Sequence, residues 1–139
     1  MNRPPHHQKI LDLVLTIVNA KNKTIKSDAY SQIKFICETH EGTKLDHPFQ
    51  WETLGDFTYN NHQQSLAIYF KALGLAKEAS LDDYIASISL AIAEQYQALG
   101  EFYKSFEYAN LANQSAAQLP DFDLRREIRE LLLEVSKSI

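Results

Sequence analysis

The chain has 139 residues, of which 45% are hydrophobic and 23% charged, so a single globular domain is expected. Its net charge of −4 is uneven: residues 1–50 carry +2, residues 51–118 carry −5 and residues 119–139 carry −1. The acidic middle disfavours nucleic acid as a partner, because binding nucleic acid depends on Lys and Arg to neutralise phosphates.

Cysteine content and hydropathy bear on the compartment. Cys37 is the only cysteine, so the chain cannot form an internal disulfide. The apolar stretch 10–18 is too short to cross a bilayer, which takes about 20 residues. We expect no membrane association and a cytoplasmic location.

Apolar residues recur along the chain with the period of an α-helix. In the stretch 84–99, for example, Ile85, Ile88, Ile92 and Tyr96 are spaced three or four residues apart. The pattern predicts an all-α chain of seven helices, near 6–20, 25–40, 48–59, 62–78, 81–99, 102–118 and 122–138.

Residues typical of helix ends separate these segments. The segments 61–64 and 80–83 resemble capping boxes, in which the first side chain accepts a backbone hydrogen bond. Gly100 suits a left-handed exit residue, and Pro48 suits the first turn of the third helix. Asp121, after Pro120, is expected to cap the last helix.

The middle of the chain repeats itself with a period of about 40 residues. Each copy predicts a helix, a tight turn and a second helix with small residues at recurring places. The matched positions are Ser65-Leu66 with Ser105-Phe106, Ala72 with Ala112, and Ala76 with Ala116.

Trp51-x-x-Leu54-Gly55 matches the W-x2-L-G opening of the tetratricopeptide repeat, and Tyr96 matches its consensus tyrosine. The segment 49–117 therefore resembles tetratricopeptide repeats. It departs from them in its period, in the missing tyrosine of the first copy and in the absence of the closing prolines. The resemblance implies a right-handed stack of antiparallel helix pairs, a TPR-like α-solenoid. Residues 1–139 would form one domain, with the flanking segments 6–40 and 122–138 extending or capping the stack.

The resemblance also implies a binding surface, because such arrays bind ligands on the concave face, which the first helix of each pair lines. Asp56 and Glu94 stand where one subfamily carries an asparagine of its carboxylate clamp, so we expect no clamp and an acidic groove that favours a basic or amide-rich ligand. The alternative is that these carboxylates only solvate an exposed helix face. The residues carried over by position are Glu52, Asp56, Asn60, Ser87, Leu90, Glu94 and Gln97.

A second candidate feature is a set of aromatic residues that do not all fit one buried stripe. Exposed aromatic side chains are favoured anchors in interfaces, although helical repeats also use aromatic residues as filling between helices. The residues in question are Phe57, Tyr59, Tyr84, Tyr103 and Tyr108.

Catalytic chemistry has little support. Cys37 lies on an apolar helix face, which favours a small buried hydrophobe over a nucleophile. The run 40–44 opens like a zincin motif but has Lys44 where the second histidine must stand. His40, Glu41, Asp46 and His47 could meet around an ion, but a mobile polar loop accounts for them better. We expect no enzyme activity, no cofactor and no metal.

The sequence therefore favours a protein-interaction module, with two hypotheses for its use. One is an adaptor that recognises a protein or peptide in the acidic groove. The other is a dedicated binder of one partner, such as an immunity protein that neutralises a toxin, or a secretion chaperone. The leucines 131–133 also suggest a homodimer through 122–138.

Overall fold

A computed structural model describes residues 3–59 and 61–139, and within these ranges the only regular elements are seven α-helices. The all-α prediction is confirmed. The helices are α1 (His7–Asn19), α2 (Lys23–His40), α3 (Pro48–Asp56), α4 (His62–Glu78), α5 (Asp82–Ala98), α6 (Phe102–Ala116) and α7 (Phe122–Ser136).

The helix ends differ from the prediction where side chains compete for the backbone. Helix α2 begins two residues early because the Asn22 side chain accepts a hydrogen bond from the Ile25 amide at 3.0 Å. Helix α3 ends three residues early, at Asp56. There the Thr58 hydroxyl donates to the Leu54 carbonyl at 2.8 Å, which closes the last turn.

The turn predictions have mixed outcomes. Asn61 and Asp121 each cap a helix as predicted, and Gly100 has the expected left-handed backbone with φ of 76°. The capping box at 80–83 is wrong. Ser80 itself is left-handed with φ of 54°, and the Leu81 amide donates to the Ala76 carbonyl at 3.0 Å, so these residues finish α4.

Each helix packs against the next one along the chain, and α5 also contacts both α3 and α7. Helices α3, α5 and α7 are therefore neighbours in one row. Helices α4 and α6 approach each other through Phe70 and Tyr108, whose ring centroids are 5.5 Å apart. The surface of the α3–α5–α7 row carries the candidate site.

Two apolar clusters form the core, and α5 belongs to both. Ile85, Ile88 and Ile92 of α5 join the first cluster, which draws its other buried residues from α1 to α4. Ala86, Leu90 and Ala93 join the second, with residues of α6 and α7. Because α5 buries apolar residues on two sides, it is the central helix of the chain.

The two copies of the sequence repeat each contain the same kind of hydrogen bond, from a serine hydroxyl to a backbone carbonyl of the preceding helix. The Ser65 hydroxyl of α4 donates to the Gly55 carbonyl of α3 at 3.0 Å. The Ser105 hydroxyl of α6 donates to the Ala93 carbonyl of α5 at 2.7 Å. Both serines are buried, so each helix pair is joined by an equivalent hydrogen bond.

A close approach joins α3 and α4 at Gly55. A Cβ atom at this position would lie 2.6 Å from Cε1 of Tyr69, which is shorter than any van der Waals contact. Tyr69 is 4% exposed. The pair therefore requires glycine in α3.

We expect substitution of the buried serines of α5 and α6 to change the stability of the protein in opposite directions. Among the residues described, Ser89 Oγ is buried without a hydrogen-bond partner, whereas Ser105 Oγ donates to a carbonyl. We expect Ser89→Ala to raise the free energy of unfolding by about 1 kcal/mol and Ser105→Ala to lower it by about 1 kcal/mol. Urea denaturation of both variants measures the difference, and two changes of the same sign would contradict this account.

Helix α7 packs Ile128, Leu131 and Val135 into the second cluster. Its exposed side carries ion pairs of Arg126 with Asp123 and Glu130, and Leu133 is 62% exposed beside them. The homodimer through 122–138 stays a prediction. In residues 3–59 and 61–139, no helix has both the length and the apolar character needed to cross a membrane.

Candidate acidic binding face

The row of α3, α5 and α7 brings five carboxylates to one surface, which we call the acidic face. Its members are Glu52, Asp56, Asp83, Glu94 and Glu127. Glu52 and Asp56 are one helical turn apart on α3, so they lie on the same side of that helix. Glu94 of α5 is close enough to both Asp56 and Glu127 for their charges to raise its pKa.

Glu52 is the most perturbed of these groups. Burial, together with the charges of Asp56 and Asp83, raises the pKa of its carboxyl to about 7. The Ser87 hydroxyl of α5 donates a hydrogen bond to Glu52 Oε2, which opposes this increase. Near neutral pH, Glu52 is therefore present in both protonation states.

The other two predicted carboxylates are also perturbed. Asp56 is exposed on its outer side, yet the surrounding protein displaces enough water to raise the pKa of its carboxyl. The Tyr69 hydroxyl donates to Asp56 Oδ1 at 2.6 Å and partly offsets this effect. Burial, Glu127 and Asp56 together raise the pKa of Glu94.

Within residues 3–59 and 61–139, the carboxylates of the acidic face form no ion pair. In the part of the chain that the structure describes, the ion pairs are those of Lys71, Arg126 and Lys137, and none of them includes a residue of the acidic face. The negative charges therefore act on one another without compensation. A cation brought to this surface would gain their attraction and relieve their mutual repulsion.

One end of the acidic face opens into a pocket of about 660 Å³ between the N-termini of α5 and α7. Its carboxylates are those of Glu52, Asp82, Asp83 and Asp121, while residues such as Tyr84 and Leu124 contribute apolar surface. No lysine or arginine lines it among the described residues. Its mixed lining suits a side chain with an apolar stem and a cationic head.

The structure disperses the remaining predicted residues. Leu90 is only 6% exposed and supports the second core cluster instead of lining open surface. Gln97 is half-buried near the end of α5. Asn60 lies outside the described residues. Of the seven predicted positions, Glu52, Asp56, Ser87 and Glu94 are the ones associated with the acidic face.

The sequence interpretation missed the contribution of α7. Glu127 of this helix interacts with Glu94, and Asp121 and Leu124 line the pocket. Asp121 also accepts the capping hydrogen bond from the Leu124 amide at 3.0 Å. The available signal was that α7 is the next helix in the row after α3 and α5, which makes its acidic residues neighbours of Glu94.

The loop 41–47, for which the sequence predicts mobility, forms several hydrogen bonds and an ion pair. Asp46 accepts hydrogen bonds from the Trp51 indole at 2.7 Å and from the Gly42 amide at 2.9 Å. Glu41 pairs with Lys71 at 2.7 Å, and His47 caps α3. Throughout residues 3–59 and 61–139, no three His, Cys, Asp or Glu side chains are grouped to hold a metal ion.

Cys37 is fully buried in the first core cluster. Burial, together with the charges of Asp46 and Glu38, raises the pKa of its thiol to about 12. The thiolate needed for nucleophilic attack is therefore scarce at neutral pH.

The five candidate aromatic residues divide into two groups. Tyr59 and Tyr103 are 64% and 75% exposed, whereas Phe57, Tyr84 and Tyr108 are half-buried against the core. Tyr84 packs edge-on against the His47 ring at 5.3 Å, and burial raises the pKa of its hydroxyl to about 12. Tyr84 is also the candidate that lines the acidic pocket.

No protein-family model, no curated protein and no solved structure matches the chain. Its function is therefore inferred from its own residues.

Proposed function

We propose that the chain is a non-catalytic protein-interaction module that binds a basic segment of another protein on its acidic face. The observation that carries the proposal is the group of carboxylates on α3 and α5 that have raised pKa values and no cationic partner among the described residues. A lysine or arginine of a partner would supply the missing charge.

The electrostatics support this choice over simple solvation of a helix face. A carboxylate that only solvates a surface is surrounded by water and keeps its ordinary pKa. Glu52 and Asp56 instead accept hydrogen bonds from Ser87 and Tyr69, which hold their oxygens in place. Fixed and partly desolvated carboxylates lose less hydration and less side-chain freedom when a cation binds.

The repeated helix pairs support a binding role as well. The hydrogen bonds from Ser65 to Gly55 and from Ser105 to Ala93 give α3–α4 and α5–α6 the same internal contact. We include in the proposal that these pairs form a TPR-like, right-handed stack. In such a stack the row of α3, α5 and α7 would be the concave face.

An amphipathic helical peptide of leucine and lysine, labelled for fluorescence anisotropy, tests the proposal. Reversing two charges with Asp56→Lys and Glu94→Lys should weaken its binding at least tenfold, because attraction on α3 and α5 becomes repulsion. The matched control reverses Glu78 and Glu107, which are exposed on α4 and α6. It changes the net charge equally and should alter the affinity by less than twofold.

Equal losses in the two double variants would mean that only net charge attracts the peptide. Unchanged binding after reversal of Asp56 and Glu94 would show that the acidic face is not the binding surface. Circular dichroism of each variant should keep the helical spectrum, since all four positions are at the protein surface.

A further inference from the structure

A second open surface lies between α2 and α4. Both helices contact α3, and two adjoining cavities of about 330 and 350 Å³ remain between them. The cavities share Tyr30 and Gln64 in their linings, so they form one continuous depression. We call it the α2–α4 groove.

The floor of the groove is apolar and firmly packed. Trp51 and Leu54 of α3 lie beneath it and are 4% and 2% exposed. Tyr30 crosses its middle, and the Tyr30 hydroxyl is within 2.8 Å of the Thr58 hydroxyl, which ties α2 to the end of α3. Ala67, with its small side chain, leaves the α4 wall open to solvent.

Lysines border this apolar floor. Lys23, Lys26 and Lys34 of α2 line the groove, and their spacing places them on the same side of that helix as Tyr30. Within the described ranges none of the three takes part in an ion pair. Lys71 borders the α4 side and lies 4.6 Å above the Trp51 ring.

We propose that the α2–α4 groove binds an acidic amphipathic helix of a partner protein. The residues from Lys23 to Lys34 extend over about 16 Å of α2, which corresponds to about three turns of a bound helix. The apolar stripe of such a helix covers Tyr30 and Ile68, and its carboxylates reach the lysines of α2 that are unpaired among the described residues, since Lys71 on the other border is already paired with Glu41. This surface is separate from the acidic face and has the opposite charge.

An acidic protein helix fits the groove better than a nucleic acid does. The floor consists of packed apolar side chains, which favour an apolar stripe over a phosphate backbone. Glu38 also lines the groove, and the chain carries a net charge of −4, which repels a polyanion. An amphipathic helix presents only a few carboxylates, so it meets the lysines without this general repulsion.

A labelled 14-residue helical peptide of leucine and glutamate is the probe. Lys26→Glu with Lys34→Glu should weaken its binding at least tenfold, whereas Lys44→Glu with Lys77→Glu, at exposed positions outside the groove, should change it less than twofold. Ala67→Trp should also weaken binding at least tenfold by filling the groove with no change of charge. NMR amide shifts should fall in 23–34 and 64–71 and not in 82–97.

The proposal would be overturned if the peptide did not bind at millimolar concentration, or if the two double lysine variants bound it with equal affinity. Amide shifts confined to the acidic face would overturn it as well. A single-stranded oligonucleotide that displaces the peptide and binds the groove more tightly would also overturn it, in favour of a nucleic-acid ligand. Each result leaves the acidic face to its own test, because the leucine–lysine peptide and the Asp56 and Glu94 variants report on that face alone.

Discussion

Gly55→Ala should lower the free energy of unfolding by about 2 kcal/mol, although alanine is the better helix former. The new methyl group would overlap the Tyr69 ring, whose nearest carbon would be 2.6 Å away. The Tyr69 hydroxyl donates a 2.6 Å hydrogen bond to Asp56, the residue after Gly55, so the ring cannot shift away from α3 without losing that bond. Urea denaturation followed by circular dichroism measures the change.

Gly74→Ala is the matched control, because Gly74 is also helical and nothing lies within 4 Å of the Cβ it would gain. This substitution should raise the free energy of unfolding by about 1 kcal/mol. The opposite signs isolate the contact with Tyr69 from helix propensity. If both variants gain stability, α3 and α4 do not approach as closely as the structure shows.

Glu52→Gln should raise the stability of the protein at pH 8 by about 2 kcal/mol. The folded-state pKa of Glu52 is about 7, against an ordinary value of 4.5, so the folded protein holds this proton more tightly than the unfolded chain does. Between these two values stability therefore falls as pH rises, and above about pH 7 the loss is complete. Glutamine keeps an oxygen for the Ser87 hydroxyl and removes the charge.

The test is urea denaturation of wild type and variant at several pH values from 4.5 to 8. The two stability curves should approach each other near pH 4.5, where the wild-type carboxyl is protonated in the folded state and about half protonated in the unfolded chain, and separate as pH rises. Glu107→Gln, on the exposed side of α6, provides the control, and its curve of stability against pH should run parallel to that of wild type. A constant gap between wild type and Glu52→Gln would rule out titration of Glu52 as the cause.

The helix count and most helix ends were predictable, because they depend on local patterns. A few neighbouring residues are enough to recognise the helical spacing of apolar residues. The same is true of the caps at Asn61 and Asp121 and of the glycine at position 100. Ser80 shows where local reading fails. Serine is a common capping residue and a rare left-handed one, so 80–83 looked like the start of α5 when Ser80 ends α4.

The candidate site was predictable in part. Glu52, Asp56 and Glu94 followed from their position on the first helices of the repeat, but Leu90 could not be recognised as core without knowing where α7 packs. The lysines of α2 and Ala67 of α4 line one groove although more than 30 residues separate them. Contacts between residues so far apart in the sequence depend on tertiary packing, which the periodic pattern of apolar residues does not specify.

Because α5 is buried on two sides, the chain cannot be divided at this helix into two fragments that each keep a complete core. A fragment that ends at residue 99 would expose Ala86, Leu90 and Ala93 to water, and one that begins at residue 82 would expose Ile85, Ile88 and Ile92. Each half needs the same helix to complete its core. We therefore expect the two clusters to melt in one transition, since neither retains a finished surface after the other is lost.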